Sequence, residues 1–145
     1  MIRFTYYGEI RGKGRPRFRN AGKFIQTYTD KDTQAYEMSI KEAYLQANQE
    51  AYMNPDTPLA IVLTVYQQIP KSVSKKKKQE MLDGKFRPTK KPDIDNILKS
   101  VLDSLNQVAF HDDTQIVSVE VVKWYDETPR MVVKIFELNN TEENK

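Results

Sequence analysis

A proline, an acid and then an apolar stripe at helical spacing most constrain this chain: Lys90-Lys91-Pro92-Asp93-Ile94-Asp95-Asn96-Ile97-Leu98-Lys99. Pro92 disfavours helical backbone at Lys91, so the chain arrives extended. Asp93 can then act as N-cap, and Ile94, Ile97, Leu98, Val101, Leu102, Leu105 and Val108 follow at helical spacing. The pattern predicts a helix from about Ile94 to Gln107 with one buried side. Its polar side carries Asp95, Lys99 and Asp103, each four residues from the next. A second acidic pair, Asp112-Asp113, comes just before a strand-like run. Four carboxylates and a lysine are thereby expected to converge where the helix begins and the next strand starts. Mg²⁺ suits such a place, because it takes oxygen ligands and binds one or two carboxylates plus substrate phosphate. A plain structural reading fits the same residues: a helix cap, i,i+4 ion pairs and a turn. Spacing alone leaves both open.

The whole chain narrows the class. Its 145 residues suit one domain, here taken as 1–138, with 139–145 a polar tail expected to be disordered. It has no cysteine and a single histidine, His111, which excludes disulfides, Cys-based zinc sites and multi-histidine metal centres. The N-terminus lacks the apolar core of a signal peptide, and no run approaches the roughly 18 apolar residues of a membrane span. A soluble, cytoplasmic protein without membrane partners is expected.

Charge is unevenly placed. Residues 1–35 hold eight basic side chains against Glu9, Asp30 and Asp32, and residues 71–91 hold nine against Glu80 and Asp83. The acids concentrate after residue 92. Basic flanks around an acidic centre suit a polyanion brought to a metal. Lys13, Arg15, Arg17 and Arg19 lie in a glycine-bearing loop or hairpin, with Phe18 available to stack on an unpaired base. Lys90 and Lys91 lead directly into the acidic stretch. The loop is not a phosphate-binding P-loop, because its glycine spacing is wrong.

The element order follows from periodicity and turn residues. Residues 2–10 and 24–28 read as strands, 31–49 as a helix with Tyr36 and Tyr44 inward and their hydroxyls wet, and 59–69 as a strand. Ser74 caps a short helix through Leu82, whose Lys75–Lys78 run reads as a solvated face. Gln115–Tyr125 and Arg130–Leu138 are expected to form a hairpin across Asp126-Glu127-Thr128-Pro129. The predicted fold is α+β, two-layer, with a mixed sheet and the helices packed on one side.

The order of parts around the acidic stretch closely resembles the RusA family of Holliday junction resolvases. Lys91-Pro92-Asp93-Ile94-Asp95-Asn96, Lys99, Leu102-Asp103 and Phe110-His111-Asp112-Asp113-Thr114-Gln115-Ile116 carry the likeness, about a fifth of the chain. The resemblance implies Mg²⁺-dependent cleavage of four-way DNA junctions by a homodimer, with Mn²⁺ as a substitute ion. It places Asp93, Asp95, Lys99 and Asp113 at the catalytic positions; Asp93, Asp95 and Asp113 would hold the metal, with Asp112 as the neighbouring acid. Two other readings stay open on sequence: a metal nuclease that cuts flaps or forks, and a basic nucleic-acid-binding module whose acids are only caps and ion pairs.

Overall fold

The computed structural model describes residues 1–13, 31–47 and 50–138, and the backbone of 17–21 and 24–28. The elements are β1 (Ile2–Tyr7), β2 (Arg17–Ala21), β3 (Phe24–Tyr28), α1 (Lys31–Ala47), β4 (Leu59–Gln68), α2 (Lys75–Leu82), α3 (Ile94–Leu105), β5 (Ile116–Asp126) and β6 (Arg130–Glu137). A single 3₁₀ turn, Asp113–Gln115, precedes β5. The expected tail, 139–145, lies outside the described residues.

The main sheet has the order β1-β6-β4-β5, with β4 and β5 parallel and the other pairs antiparallel. β2 and β3 form a separate antiparallel hairpin. Leu59, Ile61, Leu63 and Val65 of β4 are fully buried, as are Met131, Val133 and Ile135 of β6. These side chains meet α1 through Tyr36, Ile40 and Tyr44, and α3 through Ile97, Val101 and Leu105. The fold is α+β, with a mixed sheet and the α1–α3 layer on one face. The short α2 stands outside that layer, near the far end of β5. There Gly84, at φ +80°, lies so close to Trp124 that an added Cβ would sit 2.9 Å from the ring. The Arg87 guanidinium stacks 3.4 Å from the same indole.

Two expectations are corrected. β5 and β6 do not form a hairpin, because β4 lies between them and pairs with both. The nearly continuous apolar run of β4 demands that central place, as in strands covered on both sides. The Asp126–Pro129 turn passes across the end of β4, where the Ile69 amide donates to the Asp126 carbonyl at 3.1 Å. The second correction concerns the tyrosines. The Tyr44 hydroxyl donates to the Glu50 carbonyl, and the Tyr36 hydroxyl is buried, its pKa pushed up to about 12 by burial. Neither hydroxyl is wet.

Because β4 and β5 are parallel, the chain between them must cross back over the sheet, and α3 makes that return. α3 therefore starts beyond the C-terminal ends of both strands and runs antiparallel to β5. In open sheets of this kind, ligands bind beyond the carboxyl ends of the strands.

Candidate active site

Asp93 occupies the N-cap of α3 with extended backbone, yet its carboxylate does not cap the helix. Its Oδ1 instead accepts from the Asn96 side-chain amide at 2.6 Å. That amide, with the nearby backbone N–H groups and Asp95, holds the Asp93 carboxyl below the usual aspartate range. Asp93 and Asp95 thus stand together, both exposed, at the positive end of the helix macrodipole. Lys99 lies one turn further along, exposed, with no ion pair among the described residues.

Three neighbours fix this helix start. The Lys123 ammonium on β5 donates to the Lys90 carbonyl at 2.9 Å and the Pro92 carbonyl at 2.8 Å. Burial pulls the Lys123 pKa down, against the charge of Asp93, which raises it. From the other side, the Lys13 amide donates to the Asn96 carbonyl at 3.1 Å. Gly12 fits tightly there: a Cβ would lie 3.0 Å from the Asn96 Cβ and 3.2 Å from the Pro92 Cβ. Gly12 and Lys13, which precede the basic hairpin in the chain, are thereby seated against the acidic helix start.

Lys13 itself is corrected. It was expected to contact DNA, but its ammonium is bracketed by Glu37 of α1 at 2.7 Å and Asp103 of α3 at 3.0 Å, with only 18% of the side chain exposed. Burial lowers its pKa, and the bonds to the two carboxylates outweigh this and raise it overall. Lys13 ties α1 to α3. Asp103 is accordingly spent on Lys13, and the Asp95–Lys99–Asp103 ladder of i,i+4 pairs does not form. Lys90 and Lys91 are exposed beside Asp93. The Arg17 and Arg19 side chains and all of Arg15 lie outside the described residues. A cleft of about 620 Å³ opens beside Asp93 and Asn96, lined also by Arg11, Tyr36 and Lys91.

The second acidic pair sits elsewhere. Asp112 caps the 3₁₀ turn, and its Oδ2 accepts from the Thr114 hydroxyl at 2.7 Å. Asp113 is exposed, and its carboxylate makes no hydrogen bond or ion pair among the described residues. Gln115, buried at 3% exposure, organises the turn. Its Oε1 accepts from the His111 and Asp112 amides at 2.8 and 3.0 Å, and its Nε2 donates to the carbonyls of Tyr52, Asn54 and Thr57. His111 is exposed.

Within one chain the two acidic pairs do not converge. Asp93 lies by Lys123 near the C-terminal end of β5, whereas Asp113 lies just before Ile116, at its start. Seven strand steps separate Ile116 from Lys123, about 23 Å at ~3.3 Å per residue. The length of α3, twelve residues, keeps them similarly apart, about 18 Å. Among the described residues no three His, Cys, Asp or Glu side chains are gathered to hold a metal ion. The expected single-chain convergence is wrong, because α3 leads away from its own N-terminus and the chain re-enters the sheet at the opposite end.

Lys123 and Gly12 were not anticipated as site residues. The signal for Lys123 was present: it keeps phase with the inward-facing Val121 in a strand otherwise apolar on that side. Gly12 carried no signal beyond being glycine.

The mixed sheet thus carries an exposed Asp-x-Asp pair at the start of its crossover helix, with the exposed Lys90 and Lys91 just before it. The family model for endodeoxyribonuclease RusA matches residues 8–136, and the chain belongs to that family. It is 36% identical over 140 residues to the uncharacterized protein YqaN of Bacillus subtilis (strain 168), covering 95% of this chain and 97% of that one. It is also 28% identical over 115 residues to the crossover junction endodeoxyribonuclease rusA of Lactococcus phage r1t, covering 79% of each. Among the described residues no helix is long and apolar enough to cross a membrane.

Proposed function

We propose that this chain is a Mg²⁺-dependent endodeoxyribonuclease that resolves four-way DNA junctions as a homodimer, in cytoplasmic recombination and repair. The observation that carries the reading is the exposed Asp93–Asp95 pair, braced by Asn96 and Lys123, with Lys99 one turn away and exposed. The phage relative, named a crossover junction endodeoxyribonuclease, supports the choice of substrate.

The donor set fits Mg²⁺, which commonly takes one or two carboxylates and completes its shell with water and phosphate oxygens. Asp93 and Asp95 would hold it. Two like charges side by side favour a cation between them. Asp113 is the free acid of the second pair, since Asp112 is engaged as a cap. Its distance from Asp93 means that a centre using both pairs must draw them from two copies of the chain. Bound Mg²⁺ would neutralise charge on the scissile phosphate and acidify a bound water.

The protein's own groups do the rest. Asn96 fixes the rotamer and ionisation of Asp93. Lys99 sets a cation near the phosphate, where it opposes the charge that develops on the leaving oxygen. Lys90 and Lys91 draw backbone phosphates toward the helix start. Two centres related by a two-fold axis match the two symmetry-related strands of a junction.

The test uses a labelled four-way junction and an equimolar fork, with Mg²⁺, with Mn²⁺ and with chelator. Paired incisions near the branch point, lost on chelation and lost in Asp95→Asn while junction binding persists, are expected. Equal cutting of fork and junction would sink the junction reading. Asp95→Asn cutting at the parental rate would sink the acidic site.

A further inference from the structure

We propose that α2 and the segment after it form a second DNA-contact surface, on which Lys75, Lys76, Lys77 and Lys85 hold backbone phosphates of a duplex arm, a few base pairs from the scissile one. This surface extends the nuclease reading above, on which it rests, by fixing where an arm of the substrate lies.

Charge on α2 runs against its own helix. Lys75, Lys76, Lys77 and Lys78 fill the first turn, no basic residue stands in the last, and Glu80 and Asp83 lie at the C-terminal end. The macrodipole favours the reverse order, acids first and cations last. The helix start is already capped without the lysine side chains, since the Ser74 hydroxyl accepts from the Lys77 amide at 3.2 Å. Among the described residues only Lys78 of the four meets an acid, Glu127 in the turn after β5, at 2.5 Å. Lys75, Lys76 and Lys77 are exposed. Cations gathered where their own helix disfavours them are accounted for by an anion from outside the chain.

The same surface leads to the acidic pair. α2 runs from Glu127, met by Lys78, back to Trp124, met by Gly84. The chain then crosses the outer edge of the sheet at β5. Trp124 and Lys123 are successive strand residues and point to opposite faces. Arg87 stacks on the Trp124 ring and donates from Nε to the Lys123 carbonyl at 2.6 Å. The Lys123 ammonium holds the Lys90 and Pro92 carbonyls in turn. Lys85, Phe86 and Arg87 are exposed along this path, and the Lys77 ammonium lies 5.5 Å from the centre of the Phe86 ring. Exposed cations thus follow one another from Lys75 to Lys91 on chain that β5 holds in place.

The spacing suits an arm. Lys123 to Asp126 is three strand steps, about 10 Å at ~3.3 Å per residue, and Glu127 lies one residue beyond. The first turn of α2 therefore stands past the residue that sets the start of α3 by about three base pairs of duplex, at ~3.4 Å each. That keeps its lysines clear of the scissile phosphate and within reach of its neighbours along the backbone.

Neutralising the run tests this. Lys75→Gln, Lys76→Gln and Lys77→Gln together should make the slope of log affinity against log salt for a four-way junction shallower by about 2.7, three phosphates at about 0.9 each. Lys85→Gln alone should make it shallower by about 0.9. The triple variant should melt no lower than the parent, because cations leave a helix N-terminus and glutamine is a good helix former. Its single-turnover rate on fully bound junction should stay at the parental value. Arg3→Gln, on β1 at the opposite edge of the sheet, should leave the slope unchanged. The chain has no cysteine, so Lys76→Cys accepts a single photo-crosslinker, which should tag arm DNA a few base pairs from the incision. A triple variant with the parental slope, or a crosslinker at position 76 that tags no DNA, would make α2 a solvated face. Junction cleavage by the parent would then still uphold the nuclease reading. Parental protein that neither binds nor cuts a junction would overturn both.

Discussion

The Lys123 ammonium donates to the Pro92 carbonyl at 2.8 Å, one residue before the first acid of the site. A strand residue thus sets where a helix begins. Lys123→Met keeps most of the aliphatic stem and removes the charged donor. Its carbonyl partners are exposed or half-buried and can turn to water, so folding should change little. The Asp93 position should loosen, and misplacement near 1 Å can cost up to about 100-fold in rate. Single-turnover cleavage with junction fully bound should slow by about 10–100-fold while junction affinity stays near the parental value. An unchanged single-turnover rate would make Lys123 a purely structural tether.

Lys13 separates stability from DNA affinity. Its charge is consumed by Glu37 and Asp103, so Lys13→Met should leave the salt dependence of junction binding unchanged. It should lower stability by about 1.5–3 kcal/mol, since both hydrogen bonds are charge-assisted and the two acids are left facing each other. Lys91→Ala should do the reverse: no change in melting, and a slope of log affinity against log salt shallower by about 0.9. Urea melts and salt titrations of the two variants check this. A shallower slope in Lys13→Met would place its ammonium on the DNA.

Much of this was legible in sequence, and the failures share a cause. The stripe Ile97–Val101–Leu105 located α3, because an amphipathic helix writes its period into adjacent residues. The Asp-x-Asp-Asn motif located its start for the same local reason. What periodicity cannot carry is which strands neighbour each other. β5 and β6 are joined by a short turn and read as a hairpin, yet the largely apolar β4 takes the central place between them. From that one topological fact follow the parallel β4–β5 pair, the crossover path of α3 and the separation of Asp93 from Asp113. Lys13 failed differently: in a run of cations, nothing local distinguishes the one that meets Glu37 and Asp103 from those that reach solvent.

Gln115 offers a stability test away from the chemistry. Its amide serves five backbone groups of two loops, and it is nearly fully buried. Gln115→Leu conserves volume but leaves those groups without their partner. Each unsatisfied buried group costs about 1–3 kcal/mol, and partial exposure of the loops lets some reach water. A loss of about 3 kcal/mol in chemical denaturation is expected. Cleavage should fall as well, because the 3₁₀ turn that presents Asp113 loses its brace. Gln115→Glu, which retains two acceptors and lacks the amide donor, should also destabilise. If Gln115→Leu is as stable as the parent, the loops at 52–57 and 111–115 are held by something else.

Subunit mixing tests the division of the acids directly. Asp95→Asn and Asp113→Asn should each be inactive as homodimers, because every centre then lacks one acid. If each centre takes Asp95 from one chain and Asp113 from the other, a mixed dimer behaves differently. One of its centres carries both substitutions and is dead. The other carries both native aspartates and works. Random exchange makes roughly half of the dimers mixed, as expected of a closed two-fold assembly. Mixing the two inactive proteins should therefore restore cutting. Because a mixed dimer has a single working centre, a cruciform plasmid should accumulate as nicked circles rather than linear product. Centres contained within one chain predict the opposite, since each chain of the mixed dimer lacks one acid and neither centre works. A mixture that stays inactive, with subunit exchange verified by differently sized tags, would assign all the acids of a centre to a single chain.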